Sequence, residues 1–134
     1  MSFRKYSQFL LVLIVVMASV TTAWGQSFQT VVSSSLSSGN IKELAKSFDK
    51  RIQVTIDRKT DYYSNSQAEM ILKNQLDQMG PKNFRLIRKG MAEGGNAEFY
   101  IGEISCTKGI TKVYIYSRLV SDIPYIQEIR LEKK

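Results

Sequence analysis

The sequence predicts an α+β fold in which N-terminal helices pack against an antiparallel sheet. Apolar residues recur at helical spacing near residues 28–48, and a further helical stretch at 64–79 opens with a capping signal. Beyond residue 84, four stretches alternate apolar and polar residues and are separated by three turn signals. Three sequential reversals form an antiparallel meander, and helices placed before a meander define the α+β class.

Residues 1–25 have the pattern of a secretory signal peptide. Arg4 and Lys5 precede the uncharged run FLLVLIVVMASV, which at roughly a dozen residues falls short of the ~20 apolar residues of a membrane span. Small residues at Ala23 and Gly25 predict cleavage after residue 25, or alternatively after Ala23. We therefore expect an exported protein, periplasmic or secreted, with no stable membrane span after processing. An uncleaved N-terminal anchor is the alternative.

The remaining residues, 26–134, are predicted to form a single domain. Cys106 is the one cysteine, so an intrachain disulfide is excluded and packing must hold the fold together. The formal net charge of +7 is spread through the chain, which indicates a solvated mixed surface. A weak preference for anionic partners is the alternative interpretation. Because the protein is expected to be exported, nucleic acid is not an expected partner.

The composition argues against most catalytic and cofactor chemistry. The chain has no histidine, so it lacks the usual general base near neutral pH and the commonest metal ligand. It has no CxxC or HExxH motif, and MAEGGNAEF holds a Gly-Gly turn without the spacing of a nucleotide-binding loop. Cys106 lies within a strand pattern and is interpreted as a small buried residue, with a nucleophilic role as the alternative. We predict no metal, no cofactor and no identifiable catalytic residue.

Two short helices, or one helix bent at Gly39, are predicted to begin the domain. The first starts near Gln26, and its apolar residues fall on one face, at Phe28, Val31, Val32 and Leu36. Asn40 offers an N-cap for the second, with Glu43 three residues later, as in a capping box.

A strand and a capped helix follow. In RIQVTID, residues 51–57, apolar and polar side chains alternate as in a half-buried strand. Ser64 and Gln67 have the spacing of a capping box, and a Gly-Pro pair ends the helix that they begin. Tyr62 and Tyr63 stand just before this cap, and the cap does not explain them.

Four strands complete the domain, at residues 84–91, 97–106, 110–120 and 125–132. The third of them carries alternating basic and aromatic side chains on one face: Lys112, Tyr114, Tyr116 and Arg118. This face is interpreted as a protein contact or homodimer surface, as a stacking platform for a ligand, or as plain solvated surface.

A polar residue on the last strand suggests an interior site. Alternation places Gln127 on the same face as Tyr125, Ile129 and Leu131, which aims an amide into the core. A buried amide requires a hydrogen-bonding partner. That partner is a tyrosine hydroxyl, such as that of Tyr63 or Tyr100, or a bound small molecule.

Several segments of the chain together resemble one family. Five segments, in this order and spacing, are similar to the exported bacterial family called domain of unknown function 4783. They are YSNSQAEMILKNQL, PKNFRLIRKG, EFYIGEIS, KVYIYSRL and IQEIRLE. The resemblance covers residues from about Val32 to Glu132. It implies a nuclear transport factor 2-like fold, related to the cystatin-like architecture, in which a strongly curved antiparallel sheet wraps around helices as a cone open at one end.

The chain departs from the family pattern in two places. It has Arg88-Lys89-Gly90 where members often carry a histidine, and Gln75-Leu76 where they often carry two phenylalanines. Both departures argue against a catalytic group at these positions.

These observations favour a non-enzymatic domain that binds a small apolar ligand or a protein partner. Pockets in such folds are mostly apolar with a few polar groups, and we place six residues near one: Tyr63, Tyr100, Ile104, Ile115, Gln127 and Ile129. The alternative is an isomerase-like or dehydratase-like enzyme in the cone, with Asp57 as base and a tyrosine hydroxyl as oxyanion donor. Alternation, however, predicts that Asp57 points outward. Homodimerisation through Tyr114 and Tyr116 is a third possibility.

Overall fold

The computed structural model describes residues 27–92 and 94–134, which form three helices and six strands. The helices are α1 (Phe28–Ser38), α2 (Lys42–Ala45) and α3 (Asn65–Met79). The strands are β1 (Phe48–Ile56), β2 (Lys59–Ser64), β3 (Lys82–Met91), β4 (Ala97–Cys106), β5 (Gly109–Val120) and β6 (Ile123–Lys133). The predicted signal peptide lies outside the described residues. No helix among those residues has the length and apolar character to cross a bilayer.

The six strands join one open sheet in the order β2-β1-β6-β5-β4-β3. The meander from β3 to β6 is antiparallel throughout, as the turn signals predicted. β1 pairs antiparallel with β2 and parallel with β6, where Val54 lies opposite Ile129. The α+β class is therefore confirmed. The parallel pair within it joins strands from opposite ends of the domain, which no local pattern reveals.

The helix ends follow the predicted signals in part. α1 is capped by Ser27, whose hydroxyl accepts from the Thr30 amide, and it ends at Gly39 with φ of 79°. This left-handed conformation suits glycine and separates α1 from the single turn of α2. Asn40 accepts from the Lys42 amide at 3.3 Å, but Glu43 bonds to the Lys46 ammonium instead of closing a capping box.

The predicted capping box of α3 is confirmed. The Ser64 hydroxyl accepts from the Gln67 amide at 3.3 Å, and the Gln67 side chain accepts from the Ser64 amide at the same distance. Two of the amides at the helix start are thereby satisfied.

β2 is a strand that the sequence did not predict, and it accounts for Tyr62 and Tyr63. Its hairpin with β1 turns at Asp57 and Arg58, which have φ of 46° and 73°. Two successive positive φ angles are typical of a type I′ turn, which asparagine or aspartate followed by glycine usually occupies. Asp57 fits this pattern, but Arg58 stands where glycine is expected, so the turn signal is weak.

The core lies between the helices and one face of the sheet. α1 contributes Val32 and Leu36, and α3 contributes Leu72 and Leu76, all at most 2% exposed. They pack in one cluster with buried side chains from the other strands, and Tyr63 of β2 packs against its edge. The cluster includes Ile52, Phe84, Ile104, Val113, Ile115 and Ile129. The opposite face of the sheet is called the helix-free face below.

Three irregularities in strand register bend the sheet around the helices. They fall in β1 between Phe48 and Gln53, in β3 at Ile87, and in β6 at Gln127. A bulge bends its strand and increases the local twist, so the sheet curves as the resemblance implied. At the free edge of β3, the Phe84 amide donates to the Ser37 hydroxyl of α1 at 3.3 Å.

Candidate functional site

Most of the residues predicted to line an interior pocket belong to the packed core. Tyr100 lies opposite Ile115, and Ile115 lies opposite Ile129, so the structure brings these three together in one row across the inner face. They and Ile104 are at most 1% exposed. Tyr63 is half-buried and packs against the edge of this cluster. The row therefore contributes to the stability of the fold by apolar burial.

Gln127 is not part of this row, so the expectation of an inward-facing amide is wrong. Tyr116 pairs with Glu128 and Ser117 with Ile126, which leaves Gln127 as the extra residue of a bulge. Ile126 takes the buried position, while the Gln127 amide donates to the Asp49 carboxylate at 3.3 Å. Alternation fails here because a bulge turns two consecutive side chains to one face.

Tyr100 has a polar end inside the fold. Its hydroxyl donates to the Glu98 carboxylate at 3.1 Å, and its ring packs edge-on against Phe28 with centroids 5.4 Å apart. Burial, together with the charge and hydrogen bond of Glu98, raises the pKa of Tyr100 well above its usual range. The phenol is therefore a neutral donor throughout the physiological pH range.

Nearby, the buried Ser117 hydroxyl has no hydrogen-bonding partner among the described residues.

Asp57 does not meet the requirements of an interior base. It is exposed in the β1–β2 turn, and its carboxylate accepts from the Lys133 amide at 2.9 Å. This bond ties the hairpin turn to the end of β6.

The helix-free face carries the predicted contact residues Lys112, Tyr114, Tyr116 and Arg118. They alternate with the buried inner-face residues of β5 and are exposed or half-buried. Strand registers place Tyr116 and Tyr114 in two neighbouring rows across the sheet. The first row, called the aromatic row, is Tyr62–Gln53–Glu128–Tyr116–Phe99–Gly90; the second is Thr60–Thr55–Arg130–Tyr114–Ile101–Arg88.

Cations lie over the aromatic rings of these rows. The guanidinium carbons of Arg51, Arg88 and Arg130 lie 5.2, 5.7 and 5.2 Å from the ring centroids of Tyr62, Phe99 and Tyr114. Such contacts hold planar groups in fixed orientations at the surface. Burial, and then the charge of Glu128, raises the pKa of the Tyr114 phenol, although Arg130 partly opposes the shift. Tyr114 therefore stays neutral on this face.

A charged row borders the row of Tyr114, toward the start of β5. Cross-strand pairing aligns Arg85, Glu103, Lys112 and Glu132, whose charges alternate in sign. Glu103 accepts from Lys134 at 3.2 Å and from Arg85 at 3.3 Å. These bonds, with that of Lys134 the larger influence, hold the pKa of Glu103 below its usual value.

A groove opens on the helix-free face near the β2 edge. Its volume is about 300 Å³, and its lining residues are Arg51, Gln53, Tyr62, Tyr116, Gln127 and Glu128. Tyr62, Phe99 and Tyr125 are aromatic residues of this face that sequence reasoning missed. Tyr125 was predicted to share the inner face with Ile129, but it lies opposite the outward-facing Arg118, because the bulge shifts the alternation. The sequence did contain a signal for Phe99. Successive residues of a strand point to opposite faces, so Phe99 must point away from the face that carries its neighbour Tyr100.

The opposite end of the sheet has a smaller pocket of about 140 Å³ beside Cys106. There the Lys108 ammonium donates to the Gln78 carbonyl at 3.0 Å, which stabilises the C-terminal end of α3. The Cys106 thiol lies 3.5 Å from the Gly109 carbonyl, an ordinary structural contact. Across residues 27–92 and 94–134, no cluster of three or more His, Cys, Asp or Glu residues is arranged to hold a metal.

This curved, open sheet with helices on one face defines the class of the protein as a nuclear transport factor 2-like, cystatin-like α+β domain. The chain belongs to the family described as Domain of unknown function (DUF4783), whose model matches residues 29–132. The family resemblance read from the sequence is thereby confirmed. No curated protein matches the sequence.

Solved structures agree with this assignment at the level of the fold. A DUF4783 family protein from Bacteroides uniformis is 22% identical, with a TM-score of 0.70 over 77% of this chain and 94% of that one. One from Bacteroides fragilis is 20% identical, with a TM-score of 0.70 over 77% and 95%. A cystatin-like protein of unknown function from Nostoc punctiforme is 10% identical, with a TM-score of 0.62 over 80% and 86%.

Proposed function

We propose that this chain is an exported, non-enzymatic binding module that contacts a protein partner through the helix-free face of its sheet. The observation that carries the proposal is a contiguous patch of half-buried residues at the centre of that face: Phe99, Ile101, Tyr114 and Tyr116. The described helices cover the other face, so the patch is open to solvent. Tyrosine and arginine are enriched in protein interfaces, and apolar patches of this kind mark contact sites.

A second copy of the chain is the partner that the charges fit. The row Arg85–Glu103–Lys112–Glu132 alternates in sign across four adjacent strands. Consider a two-fold dimer whose axis runs parallel to the strands, with the helix-free faces of the two copies together. The charged row of one copy then faces the same row of the other copy in reverse order, and each cation lies opposite an anion. Complementary charges of this kind fix the register of an interface.

The other candidate functions have less support. The interior residues Tyr100, Ile115 and Ile129 pack against one another, which leaves no reason to favour an apolar ligand between them. An isomerase or dehydratase would need a free base inside the cone, but Asp57 is exposed in a turn and the inner-face carboxylate of Glu98 accepts from the Tyr100 hydroxyl.

The test is the sedimentation of the purified chain and three variants. We expect the wild type to dimerise and Lys112→Glu to dissociate the dimer, because Glu103 and the new glutamate then face each other across the axis. The double variant Lys112→Glu/Glu103→Lys restores opposite signs and should dimerise again. Lys73→Glu, which makes the same charge change on the exposed side of α3, is the matched control and should leave the dimer intact. A wild type that stays monomeric at all concentrations would contradict the choice of partner.

A further inference from the structure

We propose that the groove near the β2 edge is a binding site for a neutral saccharide. The groove lies between β2 and β5, and it shares Tyr116 with the patch described above. Its volume of about 300 Å³ is at the lower end of the range of small-ligand sites. Four of its residues, Tyr62, Gln53, Glu128 and Tyr116, lie opposite one another on four adjacent strands. A tyrosine therefore stands at each end, with polar side chains between them.

The exposed tyrosine supplies a stacking surface. Tyr62 is 55% exposed, which is unusual for a large ring on a sheet. The Arg51 guanidinium lies 5.2 Å from the ring centroid and covers one face of the ring. The ring is thus held in place while more than half of the side chain stays open to solvent. The negative face of an aromatic ring attracts the polarised C–H groups along one face of a sugar ring.

The polar side chains of the groove match pairs of neighbouring hydroxyls. Amides, carboxylates and guanidinium groups are planar and present two hydrogen-bonding atoms side by side, which is the spacing of adjacent sugar hydroxyls. The bulge in β6 turns both Gln127 and Glu128 to this face. A carboxylate can only accept hydrogen bonds, so the Gln127 NH2 group must be the side that faces Asp49. This bond fixes the orientation of the amide and leaves the Gln127 carbonyl oxygen as an acceptor for a ligand.

The charge of the groove indicates a neutral sugar. Among its six lining residues, Arg51 and Glu128 carry opposite charges that cancel, although the whole chain has a formal charge of +7. Glu128 also accepts from Arg130 beside the groove, so it is not available to neutralise a cationic ligand alone. A groove whose lining charges cancel offers an anionic polysaccharide no net attraction.

The experiment is a titration of the isotope-labelled chain with maltose, cellobiose and diacetylchitobiose, monitored by the side-chain amide resonances of Gln53 and Gln127. We expect at least one of these sugars to shift both resonances with a Kd of about 1 mM or tighter. Tyr62→Ala should weaken binding about tenfold, and Tyr62→Phe should bind as the wild type does, because the ring and not the hydroxyl is used. Met70→Ala, a change at a comparably exposed side chain on α3, should have no effect.

Several results would overturn the proposal. They are the absence of any shift with all three sugars, unchanged affinity in Tyr62→Ala, and stronger binding of galacturonate oligomers than of neutral sugars. Shifts that appear in the monomeric Lys112→Glu variant on raising its concentration without sugar would assign the groove to a protein contact instead. The Lys112→Glu variant separates the two proposals. Tyr116 belongs to both surfaces, so dissociation of the dimer leaves the groove open, and this variant should bind sugar at least as tightly as the wild type.

Discussion

The Tyr100 hydroxyl donates its proton to the Glu98 carboxylate at 3.1 Å, within the inner face of the sheet. The two residues lie on the same strand, β4, separated by one position. This contact satisfies a buried phenol and places a negative charge beside it. Its energetic consequence depends on pH, because the neighbouring carboxylate opposes loss of the phenolic proton.

Alkaline pH should destabilise the protein through Tyr100. Burial, then the charge and hydrogen bond of Glu98, raises the pKa of this phenol above its ordinary value of 10.0. The folded chain therefore holds the proton more tightly than the unfolded chain. The stabilisation is fully present below pH 10.0 and is lost as the pH rises toward the folded pKa. Urea unfolding of the wild type at increasing pH should show this loss.

In Tyr100→Phe the alkaline loss of stability should be smaller, and the free energy of unfolding near neutral pH should fall by about 1 kcal/mol because the hydrogen bond is gone. Tyr62→Phe, at a largely exposed ring, is the matched control and should follow the wild type. If the free energy of unfolding falls equally with rising pH in the wild type and in Tyr100→Phe, the Tyr100 phenol is not the cause of the alkaline loss of stability.

Gly102→Ala should destabilise the fold. A methyl group at this position would lie 2.4 Å from the Phe84 ring and 2.7 Å from the Arg85 carbonyl oxygen. The neighbouring strand β3 must move, and overpacking of this kind costs about 1–3 kcal/mol. Urea unfolding measures the change, with Met70→Ala on the surface of α3 as control. An unchanged midpoint would mean that β3 moves aside freely.

Ser64→Ala should shorten α3 from its N-terminal end. The substitution removes the hydroxyl that accepts from the Gln67 amide, and loss of such a cap costs about 1 kcal/mol. Thermal unfolding monitored by circular dichroism gives the change in stability, and hydrogen exchange at the first turn of α3 locates it. Asn74→Ala, at an exposed position within the same helix, should be neutral or stabilising.

Arg58→Gly should stabilise the β1–β2 hairpin. Arg58 has φ of 73°, and a left-handed conformation costs a non-glycine residue about 1–2 kcal/mol. Glycine removes this strain at a position where the chain needs a positive φ. Asp57→Gly is the informative comparison, because it relieves similar strain but removes the acceptor of the Lys133 amide. We expect a higher midpoint for the first variant than for the second.

Export can be tested with the full-length chain. In a bacterial host, N-terminal sequencing of the mature protein should give Gln26 as the first residue, or Trp24 if cleavage follows Ala23. Val15→Arg places a charge in the apolar run and should retain the protein inside the cell. Recovery of an unprocessed, membrane-attached chain would support the anchor alternative.

Local signals in the sequence determined much of the fold. The capping box at Ser64 and Gln67, the apolar face of α1 and the alternation along β5 each depend on neighbours a few residues apart, and each was found where the pattern indicated. The meander followed because glycines mark two of its turns. The curvature of the sheet was predicted from the family resemblance and not from a local signal.

The missed features depend on contacts between distant segments or on unusual turns. β2 was missed because Arg58 stands where a type I′ turn usually has glycine, which weakens the turn signal of Asp57. The parallel pairing of β1 with β6 joins segments about 75 residues apart, as in the pair Val54 and Ile129. Gln127 was misplaced because a bulge shifts the alternation by one residue, and the sequence carries no mark of it.

The bond between the Phe84 amide and the Ser37 hydroxyl has a consequence for crowded conditions. An open sheet exposes unpaired amides along its outermost strands, which invites uncontrolled joining of molecules into fibrils. Here the Ser37 hydroxyl of α1 already accepts a hydrogen bond from one such amide, and the register shift at Ile87 makes the edge strand β3 irregular. Growth of a continuous sheet from one molecule to the next is thereby discouraged at this border, even where the protein is abundant.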